Sequence, residues 1–278
     1  MVIENFQVHS NRGTKLFCIS WQPDGKPDAV LFIVHGLGEH SGRYEEMATA
    51  CAENQIAVFV YDHRGHGQSE GKKGHARSIE QLITDLELAL MKCRSLFLES
   101  PIFLYGHSMG GQIVASYVNK IKSREIKGAI ISSAWFQLVK PIPSWQLSLV
   151  KKMATFLPGI TLSNGINAKE ISSVEAEVEL YVQDPFVHAR ISLGLFHSLF
   201  QNGLLLLELA QPAKIPVLVC HGDLDKITSS KASEAFVKKL GENATFKSWS
   251  NAFHEPHHDI DKKQVIQFYI EWVKSKLE

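Results

Sequence analysis

The chain has 278 residues, with 29 Lys and Arg against 29 Asp and Glu, 45% hydrophobic residues and 21% charged ones. These fractions are ordinary for a globular protein and exclude disorder, collagen and coiled coil, while a net charge of zero leaves no long-range field to attract nucleic acid. The longest uncharged apolar stretches fall short of the roughly 18 residues that a membrane-spanning helix requires.

The opening residues, MVIENFQVHS, hold no basic segment followed by an apolar run. No secretory signal is therefore expected, and the expected location is cytoplasmic. Ile3–His9 and Leu16–Trp21 alternate with period two around Asn11-Arg12-Gly13, which predicts an antiparallel hairpin. Short apolar runs follow at Ala29–Val34, Ala57–Tyr61, Ile102–Tyr105, Ala129–Ile131 and Val217–Cys220, and Thr245–Trp249 reads as a last strand. Strands apolar on both faces are what a central parallel sheet covered by helices requires. Helical stripes lie between them, with Leu82, Ile83, Leu86, Leu90, Cys93 and Leu96 on one face of Ile79–Phe97, and similar patterns at Gly110–Ile121 and Val265–Val273. The alternation predicts right-handed crossovers in a mostly parallel, doubly wound α/β sheet. Cys18, Cys51, Cys93 and Cys220 sit singly inside apolar patterns and read as buried thiols.

One stretch breaks the rhythm. From about Trp135 to Ala210 helical patterns are punctuated by Pro141, Pro143, Pro158, Gly159, Gly165 and Pro185, with no strand run. An all-helical cap over approximately residues 135–210, inserted into a single domain spanning 1–278, is expected. Within it Trp145, Leu149, Met153, Phe156 and Leu157 are spaced by three and four. Such a stripe either packs on the body or lines an acyl tunnel and meets a membrane surface, with Lys151 and Lys152 near lipid headgroups.

The chemistry begins at Ile102–Gly111, a strand, a G-x-S-x-G turn and a helix. That turn exposes Ser108 at the carboxyl edge of the sheet, at the N-terminus of a helix whose dipole favours negative charge. A serine hydroxyl is a weak nucleophile and needs a base, an acid to orient the base, and donors for an oxyanion. Val217–Cys220 runs into His221-Gly-Asp223-Leu-Asp225, which offers two acids on one loop, and the last strand precedes His254-Glu-Pro-His257-His258. Serine, acid, histidine is the chain order of α/β-hydrolases. Leu37 follows the third strand in Val34-His35-Gly36-Leu37-Gly38, so its N–H can join that of Met109 around an oxyanion.

His254, His257, His258 and Asp259 could also be read as metal ligands, but Pro256 interrupts any helix that would align them. Asp62-His63-Arg64-Gly65-His66-Gly67 reads as a structural turn. No metal and no organic cofactor is expected.

Five segments together resemble the monoacylglycerol lipases of the α/β-hydrolase superfamily, the branch that also holds lysophospholipase-like hydrolases. They are His35–Tyr44, Asp62–Ser69, Gly106–Gly111, Tyr181–Pro185 and His221–Asp225. The resemblance implies a catalytic triad of Ser108, Asp225 and His254, with Asp225 preferred to Asp223. It also implies an alcohol-side pocket of Glu39, Arg43, Tyr181 and His257. The expected activity is hydrolysis of monoacylglycerols to fatty acid and glycerol through an acyl-serine intermediate. A lysophospholipase, a broad carboxylesterase and a non-catalytic ligand-binding protein on the same fold are the rival readings. The expected partners are a lipid or small ester substrate and, through the cap, a membrane surface; oligomeric state is not legible.

Overall fold

The computed structural model describes residues 1–10, 13–120 and 126–277. Strands β1 (Val2–His9), β2 (Lys15–Gln22) and β3 (Ala29–Val34) open the chain, followed by α1 (Glu45–Glu53), β4 (Ile56–Tyr61) and α2 (Ile79–Leu96). Next come β5 (Ile102–His107), α3 (Met109–Lys120) and β6 (Gly128–Ser132). The cap then contributes α4 (Ser144–Phe156), β7 (Thr161–Ser163), α5 (Glu175–Gln183), β8 (Arg190–Ser192) and α6 (Leu193–Leu209). The body closes with β9 (Val217–Gly222), α7 (Ser230–Leu240), β10 (Ala244–Trp249) and α8 (Lys262–Lys274).

Among the described residues one sheet of eight strands has the order β1-β2-β4-β3-β5-β6-β9-β10. β1 pairs antiparallel with β2, and β2 with β4; all other neighbours are parallel. The predicted hairpin is present, although Asn11 and Arg12 of its turn lie outside the described residues, as does Ile121 beyond α3. The central strands are buried on both sides for a visible reason. In β3, Val30, Phe32 and Val34 face the layer of α2, α3, α6 and α7, whereas Ala29, Leu31 and Ile33 face α1 and α8. β4 divides in the same way, with Ala57, Phe59 and Tyr61 on one side and Ile56, Val58 and Val60 on the other. Each Val, Leu, Ile or Phe among them contributes about 1.5–3 kcal/mol on burial, so a polar residue on either face would be costly. All four cysteines are free and buried.

The expectation of an all-helical cap is corrected in one respect. β7 and β8 pair antiparallel, Thr161 with Ser192 and Ser163 with Arg190. Three residues are too few to show a period of two, and Leu162 is exposed, so no hydrophobic alternation marked the pair in the sequence. The pair anchors the cap to the body. The Ser192 N–H donates to Gly74 O, and the His188 N–H to Gly38 O in the loop after β3. The α4 stripe is not core, because α4 has no buried residue and Trp145, Leu149 and Phe156 are 67%, 50% and 79% exposed.

Candidate active site

Ser108 sits between β5 and α3 with φ of +53°, a left-handed conformation that non-glycine residues rarely adopt. The elbow is pinned by its own backbone. Ser108 N–H donates to Ser132 O, and Ser108 O accepts from the N–H groups of Gln112 and Trp135. The flanking glycines are needed for space: a Cβ on Gly110 would stand 1.9 Å from Val34 O, and one on Gly106 would stand 2.5 Å from Gly110 O. Met109 is the first residue of α3, so its N–H is one of those left without an intrahelical acceptor.

The three expected triad residues converge. Ser108 Oγ lies 3.0 Å from His254 Nε2, and His254 Nδ1 lies 2.8 Å from Asp225 Oδ2. A carboxylate can only accept, so Nδ1 carries the imidazole proton and Nε2 is free to accept from the serine. Asp225 is fully buried and held by several donors: the N–H groups of Ile227 and Thr228 at 2.7 and 3.0 Å, Thr228 Oγ1 at 2.8 Å and His221 Nε2 at 2.9 Å. Burial would raise its pKa, but the His254 charge and the hydrogen bonds from His221 and His254 hold it well below the usual carboxylate range. For His254 burial acts downward, and the Asp225 charge and hydrogen bond outweigh it, so its pKa stands above the ordinary histidine value. Asp223 is exposed and accepts the Asn251 N–H at 2.7 Å, a loop-closing bond remote from the imidazole.

Ser108 and Leu37 open into a cavity lined by Trp135, Leu138, Phe196, Ile166 and Ile227, with Asn164, Glu170, Lys140, Lys226 and Thr228 among its polar members. The Asn164 side-chain nitrogen is buried there and has no hydrogen-bond partner among the described residues. An apolar wall beside a nucleophile and a few convergent polar groups suit an ester with an acyl chain.

The four residues expected around the alcohol are tied to one another and to neighbouring side chains. The cavity lining does not include Glu39, Arg43, Tyr181 or His257. Arg43 forms a two-pronged pair with Glu255 at 2.8 and 2.7 Å, reaches Glu39 at 3.4 Å and stacks its guanidinium on the Tyr181 ring at 4.8 Å. His257 is buried between the Tyr44 and His107 rings, 3.2 Å from Tyr105 Oη, and burial pushes its pKa well down, so it is neutral.

Asp62–Gly67 is structural as expected. Asp62 accepts from the N–H groups of Ser41 and Gln68, and Arg64 clamps Asp85 through two contacts of 2.6 Å. His254, His257, His258 and Asp259 have separate partners, and no cluster fit to hold a metal occurs among the described residues. Residues that the sequence did not single out are Thr228 and Glu255. Both act through contacts whose partners no local spacing announces, although a hydroxyl three residues beyond an acid is the one local signal for Thr228.

The family model described as serine aminopeptidase, S33 matches residues 25–261. A monoglyceride lipase of Rattus norvegicus is 31% identical over 95% of this chain and 88% of its own. An abhydrolase domain-containing protein of Dictyostelium discoideum is 36% identical over 93% of this chain, which spans only 28% of that longer protein. Among solved structures, the monoacylglycerol lipase of Paleococcus ferrophilus superposes with a TM-score of 0.84 at 30% identity, covering 99% of this chain and 100% of that one. The chain therefore belongs to the S33-type serine hydrolases of the α/β-hydrolase fold and, within them, is monoacylglycerol lipase-like.

Proposed function

We propose that this protein hydrolyses monoacylglycerols to fatty acid and glycerol. The observation that carries the reading is the Ser108–His254–Asp225 relay at the base of an apolar-walled cavity under the cap. In the mechanism Ser108 Oγ attacks the ester carbonyl while His254 Nε2 takes its proton, and Asp225 holds the imidazole tautomer and stabilises the imidazolium. The N–H groups of Leu37 and Met109 receive the oxyanion, with the α3 dipole adding to them. His254 then returns the proton to the departing glycerol oxygen, and water activated by the same histidine releases the fatty acid. The acyl chain lies along Trp135, Leu138, Phe196 and Ile227. The alcohol faces Asn164 and Glu170, with Arg43, Tyr181 and His257 as an outer layer.

The exposed apolar residues of the cap, among them Trp145, Leu149, Phe156 and Leu180, support docking on a lipid surface from which the substrate is drawn. No helix among the described residues is long and apolar enough to cross a membrane. A substrate panel tests the reading: long-chain monoacylglycerol should be turned over with higher kcat/KM than the matching lysophosphatidylcholine, because the Trp135 and Phe196 rings are assigned to the acyl chain and the polar residues Asn164 and Glu170 bring no ring to a choline cation. The reverse preference would assign the protein as a lysophospholipase.

A further inference from the structure

The Leu37 N–H that is to meet the oxyanion belongs to the Gly36–Leu37 peptide, whose carbonyl accepts from His35 Nδ1 at 2.8 Å. The peptide before it, His35–Gly36, is held by a carboxyl. Gly36 N–H donates to Glu39 Oε1 at 2.5 Å, and the same oxygen accepts from Tyr44 Oη at 3.0 Å. Gly36 is wedged between that carboxyl and the nucleophile: a Cβ placed on it would stand 2.7 Å from Glu39 Oε1 and 3.3 Å from Ser108 Cβ. Glu39 is 2% exposed and lies outside the lining of the cavity that holds Ser108, so a substrate hydroxyl reaches it only by displacing these bonds.

The charges around it explain how it can hold a backbone donor without being chiefly an ion-pair partner. One guanidinium faces two buried carboxyls. Arg43 gives both of its short contacts to Glu255 and only the 3.4 Å contact to Glu39. Burial would raise the Glu255 pKa, but Arg43 and His258 hold it well below the usual range. Burial raises the Glu39 pKa, and Arg43 offsets this only in part. Glu39 is therefore the carboxyl that more readily keeps a proton, and its working atom is a carbonyl-like oxygen at a set distance. Glu255 immediately follows His254, so the Arg43–Glu255 pair ties the loop of the base to the loop of the oxyanion donors. His258 Nε2, 2.9 Å from Arg43 O, adds a second tie.

We propose that Glu39 is a positioning residue of the oxyanion hole, fixing through the Gly36 N–H the His35–Gly36 peptide that leads into the Leu37 N–H, and not a ligand of the substrate headgroup. The assignment rests on Ser108 being the nucleophile and Leu37 an oxyanion donor. Two conservative variants of the whole protein separate reach from charge. Glu39→Gln keeps the oxygen in place and loses the ionisable group; Glu39→Asp keeps the carboxyl and withdraws it by one methylene. Each is assayed on long-chain monoacylglycerol and on a short p-nitrophenyl ester that has no glycerol, with melting temperature recorded. By comparison with loss of one oxyanion donor, Glu39→Asp should lose about 100-fold in kcat on both esters with little change in KM, and Glu39→Gln should stay within about fivefold of wild type. A loss confined to KM for the glycerol ester would return Glu39 to the headgroup, and Glu39→Gln slower than Glu39→Asp would make it an ion-pair partner of Arg43; either overturns the proposal. Wild-type turnover of the p-nitrophenyl ester is the separate check on the serine hydrolase reading.

Discussion

Asp225 and Asp223 are two residues apart on one loop, yet their surroundings give them different work. Asp225 is buried against His254 Nδ1, while Asp223 closes a surface turn through the Asn251 N–H. Asp225→Asn presents an amide that can donate to Nδ1 and so favours the wrong tautomer, and activity should fall by about 10⁴-fold. Asp223→Asn keeps a side-chain oxygen that can accept the Asn251 N–H, so activity should remain within about tenfold of wild type. A steady-state comparison of the two variants checks this, and a more severe effect at Asp223 would refute the assignment. The pH profile follows from the imidazole. His254 must be neutral to take the serine proton, and Asp225 raises its pKa above the ordinary 6.5. Activity is therefore lost as pH falls, and the midpoint of the acid limb of kcat/KM should lie above 6.5; a midpoint below it would mean that Asp225 does not stabilise the imidazolium. Ser108, Asp225 and His254 were legible as candidates because each follows a recognisable strand in a fixed order. Glu255 and Arg43 were not paired in advance, because 212 positions separate them and only the fold brings them together.

At the scale of elements, the body strands could be read because both of their faces are apolar, and α2 because six apolar residues share its stripe. The cap resisted the same reading. β7 and β8 are too short to show alternation, and the apolar stripe of α4 is equally compatible with packing on the body or facing solvent. The observed exposure of Trp145, Leu149 and Phe156 turns that ambiguity into a test. Leu149→Asp places a carboxylate at a half-exposed site, where the desolvation cost of a buried charge does not arise. Melting temperature should change little, while liposome association and turnover of dispersed long-chain monoacylglycerol fall more than turnover of a short soluble ester. A large drop in melting temperature with both substrates equally affected would show that α4 packs as ordinary core.

Across the whole molecule, the chain builds a rigid sheet first and mounts the chemistry on its carboxyl edge. The proposed nucleophile follows β5, the proposed oxyanion loop follows β3, the proposed acid follows β9 and the proposed base follows β10. The cap rests on this edge through the His40–Asp184 contact of 2.8 Å, His188 Nε2 at 3.1 Å from Gly65 O, and the β8 backbone. Its outward face leaves apolar side chains exposed, while the inner cavity reaches Ser108. Under the proposed function this division would put a lipid surface on one side of the cap and the ester carbonyl on the other. The central claim is that Ser108 forms the acyl-enzyme with a monoacylglycerol. It is tested most directly by following fatty acid and glycerol release from a long-chain monoacylglycerol with wild type and Ser108→Ala, together with fluorophosphonate labelling of both. Wild type should release the two products in equal amounts and take up one label, whereas Ser108→Ala should lose activity by about 10⁴-fold or more and remain unlabelled with its fold intact. Equal labelling of the two proteins, or glycerol release that survives in Ser108→Ala, would contradict the account.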